Sequence, residues 1–181
     1  MDYYIESISE FLNRPNWYKE YPFRKDNKIT IYATDENSEI YRGGMGIKIN
    51  KVVFKRGHMP TTHEITHVIA GLSNMLSLQE GLAEYMQDKF GRKLGTYNFG
   101  APIHPLSRNL INETDMIVTE KINKNISLSV FNKWSQKRDF YILSHSFVKY
   151  LINEYGVEKF MNLYDENIVS LASNDIYKKS L

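Results

Sequence analysis

The chain has 181 residues, of which 42% are hydrophobic and 13% aromatic, a composition that is typical of one folded domain and excludes a disordered segment. Its 23 basic and 21 acidic residues give a formal charge of +2. They are mixed along the chain without a long basic run, so nucleic acid and membrane surfaces are not expected partners. With no cysteine, the sequence excludes disulfides, and any metal must be bound by histidine and carboxylate side chains.

The first residues carry neither the basic segment nor the apolar segment of a signal peptide. No stretch approaches the roughly 18 apolar residues that a membrane-spanning helix requires. We therefore expect a soluble protein, cytoplasmic as the sequence stands and secreted if a leader has been removed. The oligomeric state is left open.

The part of the chain before residue 60 shows strand patterns after an initial helix. The predicted elements are a helix over 2–13 and strands over Lys28–Thr34, Ile47–Ile49 and Val52–Lys55. An aromatic group between the helix and the first strand is interpreted as cover for the core; it contains Trp17, Tyr18, Tyr21 and Phe23.

The part after residue 60 is predominantly helical, with glycines at the expected helix ends. The predicted helices are one that opens at Pro60 and ends at Gly71, followed by 78–90, 112–119, 140–155 and 157–167. Residues 92–112 are predicted to form an irregular loop. A loop of this length in a small domain usually has a function. The order of elements predicts one α+β domain, with a small, mostly antiparallel N-terminal sheet and a helical C-terminal part.

A five-residue pattern, His63-Glu64-Ile65-Thr66-His67, lies in the first of these helices. Residues four apart share one face of a helix, so both imidazoles would point to one position. Two such nitrogen ligands are typical of a zinc site with an open position, and Glu64 would reach a water bound there. The alternative is an ordinary amphipathic helix that carries two histidines, with its apolar side packed inward.

Glu64 also has a structural interpretation. Thr61 is placed to cap the helix, and Glu64, three residues later, occupies the second position of a capping box. In that role its carboxylate would fold back on the Thr61 amide and would take no part in chemistry.

A zinc site needs a third protein ligand, and the next helix offers two acids on one face, Glu80 and Glu84. Glu80 lies in the first turn, and Glu84 is placed to accept the Nδ1 proton of a ligand histidine. The small residues Gly81 and Ala83 would let this helix approach the histidine helix closely. The alternatives are that Glu80 completes a capping box with Ser77 and that Glu84 is a solvated surface acid.

Three segments together resemble the gluzincin zinc peptidases, the group that includes thermolysin and the M1 aminopeptidases. They are His63-Glu-Ile-Thr-His67, Glu80-Gly-Leu-Ala-Glu-Tyr85 and the run Tyr141–Gly156. The resemblance implies a zincin-like domain in which His63, His67 and Glu80 bind zinc and Glu64 is the general base. It also implies that substrate lies in extended form along the strand before the histidine helix, which is predicted to be Val52–Lys55.

The resemblance further implies that Tyr141 donates a hydrogen bond to the oxygen that gains charge in the reaction. His145, one helical turn later, is a candidate to share that role. The alternatives are a core tyrosine, in a chain with 13 of them, and an ordinary helix histidine.

The function expected from these residues is a zinc-dependent peptidase of the endopeptidase type, acting on a peptide or protein substrate. Two alternatives remain at this point. One is an inactive or specialised zincin-like protein that binds a partner, and the other is a toxin-like or regulatory protease with one protein substrate. Turnover of generic peptides separates the first function from both alternatives.

Overall fold

A computed structural model describes residues 2–20, 26–36, 38–41, 46–56, 59–114 and 137–167 of the chain. The helices are α1 Asp2–Phe11, α2 Lys51–Lys55, α3 Thr61–Ala70, α4 Leu76–Phe90, α5 Ile103–Thr114, α6 Lys137–Tyr155 and α7 Val157–Asp165. The strands are β1 Thr30–Thr34, β2 Glu39–Tyr41 and β3 Gly46–Asn50, and short 3₁₀ turns cover Trp17–Glu20 and Lys93–Gly95. Most of the described residues are helical, so the α and β content agrees with the sequence prediction. No helix in the described ranges is long and apolar enough to cross a membrane.

The sheet of the described residues has three strands in the order β1-β3-β2. β3 pairs in parallel with β1, with Ile31 opposite Ile47, and in antiparallel with β2, with Ile40 opposite Ile47. The sheet is therefore mixed, and the prediction of a mostly antiparallel sheet is wrong. Pairing of β1 with β3 was not visible in the sequence because it joins segments separated by β2, and β2 itself was not predicted.

The predicted strand Val52–Lys55 is instead part of the short helix α2. Its N-cap is Asn50, whose side chain accepts hydrogen bonds from the backbone N–H groups of Val52 and Val53. In a strand, these backbone N–H groups would donate to an adjacent strand. Because the Asn50 side chain accepts from them instead, it favours a helical turn over pairing in the sheet. A helical segment has no strand edge along which an extended substrate could lie. The prediction that substrate binds along Val52–Lys55 is therefore wrong as well.

Helix α3 begins with Thr61 as its first helical residue, after Pro60 as the N-cap without a side-chain cap. Because the N–H of Glu64 donates to Pro60 O within the helix, the proposed capping box of Thr61 and Glu64 is absent. Helix α4 begins at Leu76 after Met75, which places Ser77 inside the helix. Ser77 therefore does not cap α4. The alternative that Glu80 completes a capping box with Ser77 is wrong.

The core lies around α3, all ten residues of which are buried. Helix α4 packs against both α3 and α6, with Leu78, Leu82 and Met86 fully buried. A Cβ on Gly81 would lie 2.4 Å from Ser144 O and 2.6 Å from a methyl group of Val148. Gly81 therefore permits the close crossing of α4 with α6, and not, as predicted, the approach of α4 to α3.

Two of the remaining helices, α6 and α7, match the predictions with shifted boundaries, whereas α5 shows that the prediction of an irregular loop over 92–112 is wrong for residues 103–112. The helix predicted from residue 140 begins at Lys137, and Gly156, with φ of 83°, separates it from α7 as expected. Helix α5 begins at Ile103, inside the predicted loop, because Pro105 falls in its first turn, where the missing N–H costs nothing. The part of the predicted helix 112–119 from residue 115 onward lies outside the described residues.

The N-terminal elements cover the core on one side. Ile5 and Ile8 of α1 are buried, and so is Trp17, while Tyr18 packs against the same cluster. This agrees with the interpretation of the aromatic group as core cover. Its other members, Tyr21 and Phe23, lie outside the described residues.

Candidate metal centre

Two consecutive helices bring three potential ligands together. His63 and His67 lie one turn apart on α3, and Glu80 extends from the first half of α4. One ligand atom from each residue lies within 4.8 Å of the others. All three residues are buried, with 5–8% of their surface exposed. Gly71, with φ of 77° and ψ of 178°, ends α3 in a conformation that is accessible almost only to glycine and lets the chain turn back toward the histidines.

The spacing of the three atoms fits a bound cation. His63 Nε2 and His67 Nε2 lie 3.1 Å apart, and Glu80 Oε2 lies 3.3 Å from the former and 3.5 Å from the latter. Ligands roughly 2.0–2.1 Å from a tetrahedral zinc ion lie about 3.3 Å from each other. One buried proton cannot serve all three contacts, whereas a cation between them satisfies all three.

Two of the three ligands, His63 and Glu80, are each hydrogen-bonded to a further side chain of α4. Glu84 Oε1 accepts a hydrogen bond from His63 Nδ1 over 2.9 Å, which is the contact expected from the sequence. In the neutral imidazole, this bond places the remaining proton on Nδ1 and leaves the lone pair of Nε2 free to bind a metal. The amide of Gln79 donates to Glu80 Oε1 over 3.0 Å and accepts from the N–H of Ser73 over 3.1 Å, so it orients the carboxylate and anchors the connector.

The electrostatics of the group reflect its burial. Burial opposes a charge on His63, but hydrogen bonds with Glu80 and Glu84 outweigh it and raise the pKa of His63 well above its ordinary value. Burial would also raise the pKa of Glu80, but the imidazoles of His67 and His63 hold it far below its usual range. The metal-free site therefore keeps a proton on His63 and a negative charge on Glu80.

Glu64 lies beside this group on α3 and is 5% exposed. Burial raises its pKa above the ordinary value, and the charges of His63 and His67 act in the opposite direction. A raised carboxyl pKa is what a proton acceptor working near neutral pH requires. The role of Glu64 in catalysis stays a prediction.

Tyr141 is brought to the same place by α6. Its ring centroid lies 6.0 Å from that of His63, although 77 residues separate the two in sequence. Burial, followed by the charge of Glu80, raises the pKa of its hydroxyl. The phenol therefore stays protonated, as a hydrogen-bond donor must. The role of Tyr141 as a hydrogen-bond donor in catalysis stays a prediction.

His145 faces another part of the protein. It is fully buried, its Nε2 lies 3.9 Å from Asp88 Oδ2, and its ring contacts Tyr85 at a centroid distance of 6.3 Å. Neither ring nitrogen has a hydrogen-bond partner among the described residues. These neighbours lie on the part of α4 beyond the ligand Glu80, so the contacts do not support a shared role with Tyr141.

Two residues of the site were missed in the sequence. Gln87 is fully buried and accepts a hydrogen bond from the His63 N–H over 3.0 Å. Tyr97 lies in a turn after α4, and its ring stacks on Tyr141 at a centroid distance of 4.1 Å and an angle of 6°. Gln87 follows Glu84 by three residues on one helix face, a spacing that points to a shared neighbour. Tyr97 carries no such local signal.

The described geometry defines a buried two-histidine, one-glutamate centre that is suited to a metal ion. Comparison of the chain with protein-family models, with curated proteins and with solved structures found no match. The function is therefore inferred from the geometry and chemistry of this site.

Proposed function

We propose that the protein is a zinc-dependent peptidase that uses His63, His67 and Glu80 as metal ligands. The observation that carries the proposal is the spacing of the three ligand atoms, which matches that around a tetrahedral ion; Glu64 is close enough for the charges of both histidines to affect its pKa. A centre with three protein ligands and no cysteine leaves a fourth position for substrate or water, which is the arrangement of a catalytic zinc site. The resemblance of the motifs to gluzincins and their zincin-like domain supports the same assignment.

Zinc, when bound, supplies a Lewis acid that polarises a carbonyl and lowers the pKa of water toward neutrality. Glu64 takes the proton of the attacking water and passes it to the leaving amine. Tyr141 donates a hydrogen bond to the carbonyl oxygen as that oxygen gains negative charge. Glu84 keeps His63 in the tautomer that can bind metal, and Gln79 orients the carboxylate of Glu80.

The test combines metal analysis with cleavage of a generic substrate. We expect about one zinc per purified chain and cleavage of an internally quenched peptide library that stops on chelation and returns with zinc. Glu64→Gln should keep the metal and lower kcat by about 10²–10⁴-fold, because the amide fits the space and cannot accept the proton. His63→Ala and His67→Ala should lose stoichiometric metal.

The matched control is Glu158→Gln, the same chemical change at an exposed position of α7. It should keep both metal and activity. Retained activity in Glu64→Gln would remove its catalytic role, and a purified chain that takes up no zinc would overturn the proposal. Metal binding without cleavage of generic peptides would instead support a binding protein or a protease with a single substrate.

A further inference from the structure

We infer that Tyr97 is a positioning residue that holds the Tyr141 hydroxyl toward the metal centre by stacking its ring on that of Tyr141. The inference rests on the proposed function, in which Tyr141 acts on the substrate carbonyl. It adds a residue from a segment that carries no recognisable motif. Three sets of contacts support it, and each involves a different part of Tyr97.

The backbone of Tyr97 is tied to the partners of the metal ligand. Its N–H donates to Glu84 Oε2 over 3.0 Å, while the other oxygen of that carboxylate binds His63 Nδ1. Gln87 makes a parallel bridge, because its amide oxygen accepts from the His63 N–H and its nitrogen donates to Arg92 O over 2.9 Å. Two side chains of α4 therefore connect one metal ligand to both ends of segment 92–97.

The same segment fits closely against α4. A Cβ on Gly95 would lie 2.6 Å from the Gln87 side-chain nitrogen and 2.8 Å from Met59 O. On the other side, the Nε of Arg138 donates to Tyr97 O over 3.2 Å. Since Arg138 lies one turn before Tyr141 on α6, this bond fixes Tyr97 relative to the start of the helix that carries Tyr141.

The side chain of Tyr97 lies flat on Tyr141, with ring planes only 6° apart. Burial raises the pKa of the Tyr97 hydroxyl to about 12, and a hydrogen bond with Tyr141 acts in the opposite direction. The stack covers one face of the Tyr141 ring and restricts its rotation. When Tyr141 directs its proton to a substrate oxygen, its own oxygen becomes a better acceptor, and the Tyr97 hydroxyl can donate to it. Hydrogen bonds in such a chain polarise and strengthen each other.

A double-mutant cycle on the zinc-loaded full chain tests this coupling, with the internally quenched peptide library as substrate. Tyr141→Phe should lower kcat by about 10²–10³-fold. Tyr97→Phe keeps the stack and loses one hydrogen bond, so kcat should fall about tenfold with KM unchanged. In the Tyr141→Phe background the Tyr97→Phe change should have no further effect, because Tyr97 acts only through Tyr141. Independent, multiplying effects would overturn the inference.

A second measurement does not depend on catalysis. In protein labelled with 3-fluorotyrosine, the fluorine resonance of Tyr141 is assigned by its loss in Tyr141→Phe. Tyr97→Phe should shift that resonance, whereas Tyr150→Phe, an exposed position of the same helix, should leave it in place. If the wild type cleaves nothing, the peptidase proposal fails while a shifted resonance still supports the tyrosine pair. An unshifted resonance in Tyr97→Phe overturns the inference in either case.

Discussion

The ligand atoms of His63, His67 and Glu80 lie 3.1–3.5 Å from one another, which is the spacing expected of three ligands around one metal ion. The shortest separation, 3.1 Å, joins two imidazole nitrogens that cannot both donate to each other. In the metal-free protein the raised pKa of His63, supported by Glu80 and Glu84, places a proton in the group at neutral pH. A metal ion must displace that proton, because it binds only the neutral imidazole.

We therefore predict that zinc binding releases protons at pH 7. Below the raised pKa of His63, each unit of lower pH should weaken the apparent affinity about tenfold for each proton displaced. Calorimetric titrations in two buffers with different ionisation enthalpies measure the number released. His104→Ala, which removes an exposed imidazole bound to Ser146, should release the same number. Zinc binding without proton release would mean that His63 is neutral in the metal-free protein.

At the scale of the elements, the crossing of α4 and α6 decides whether Tyr141 reaches the centre. Gly81 is the contact point, because its α-carbon faces the backbone carbonyl of Ser144 without an intervening side chain. Ser144 lies three residues after Tyr141 on α6, so a wider crossing would also move the tyrosine. The ligand Glu80 is adjacent to Gly81 on the other helix.

We predict that Gly81→Ala destabilises the protein even though alanine is the better helix former by about 1 kcal/mol. The new Cβ would meet a backbone oxygen at 2.4 Å, and overpacking of this kind costs about 1–3 kcal/mol. Urea unfolding measures the change, and zinc-dependent cleavage should fall with it. Asn109→Ala, on the exposed face of α5, should stay within about 0.5 kcal/mol of the wild type. A Gly81→Ala protein of equal or greater stability would show that the crossing has room for a methyl group.

At the scale of the whole molecule, His145 makes the folded state sensitive to acid. Burial penalises its charge and lowers its pKa to about 4, with Asp88 acting in the opposite direction. In the unfolded chain the pKa of histidine is about 6.5. Between these values the unfolded chain binds a proton that the folded protein excludes, so stability is complete above about pH 6.5 and falls as the pH drops toward 4.

We predict that His145→Leu removes this part of the acid dependence. The slope of unfolding free energy against pH should be smaller than in the wild type by up to about 1.4 kcal/mol per pH unit in that window. Urea midpoints between pH 4 and pH 7 provide the measurement, and His104→Ala should keep most of the slope. Identical slopes in wild type and His145→Leu would mean that His145 is protonated in the folded protein.

The chemistry of the ligand set follows from local spacing and was therefore accessible from the sequence. The pairs His63 and His67, and Glu80 and Glu84, are each four residues apart, and helical geometry places such pairs on one face whatever surrounds them. The stop at Gly71 is also local, because few residues other than glycine adopt its positive φ at low cost. These features predicted the ligand group and a bond from one of its histidines to Glu84, and the structure identifies that histidine as His63.

Only the tertiary structure decided which partners the remaining residues have. Tyr141 and His145 are one turn apart on α6, yet packing against α4 brings the first to His63 and the second to Asp88. The contact between Tyr97 and Tyr141 joins a turn to a distant helix, and the pairing of β1 with β3 joins strands across β2. Contacts between distant segments depend on how whole elements pack, and a periodic pattern within one element carries no information about that packing.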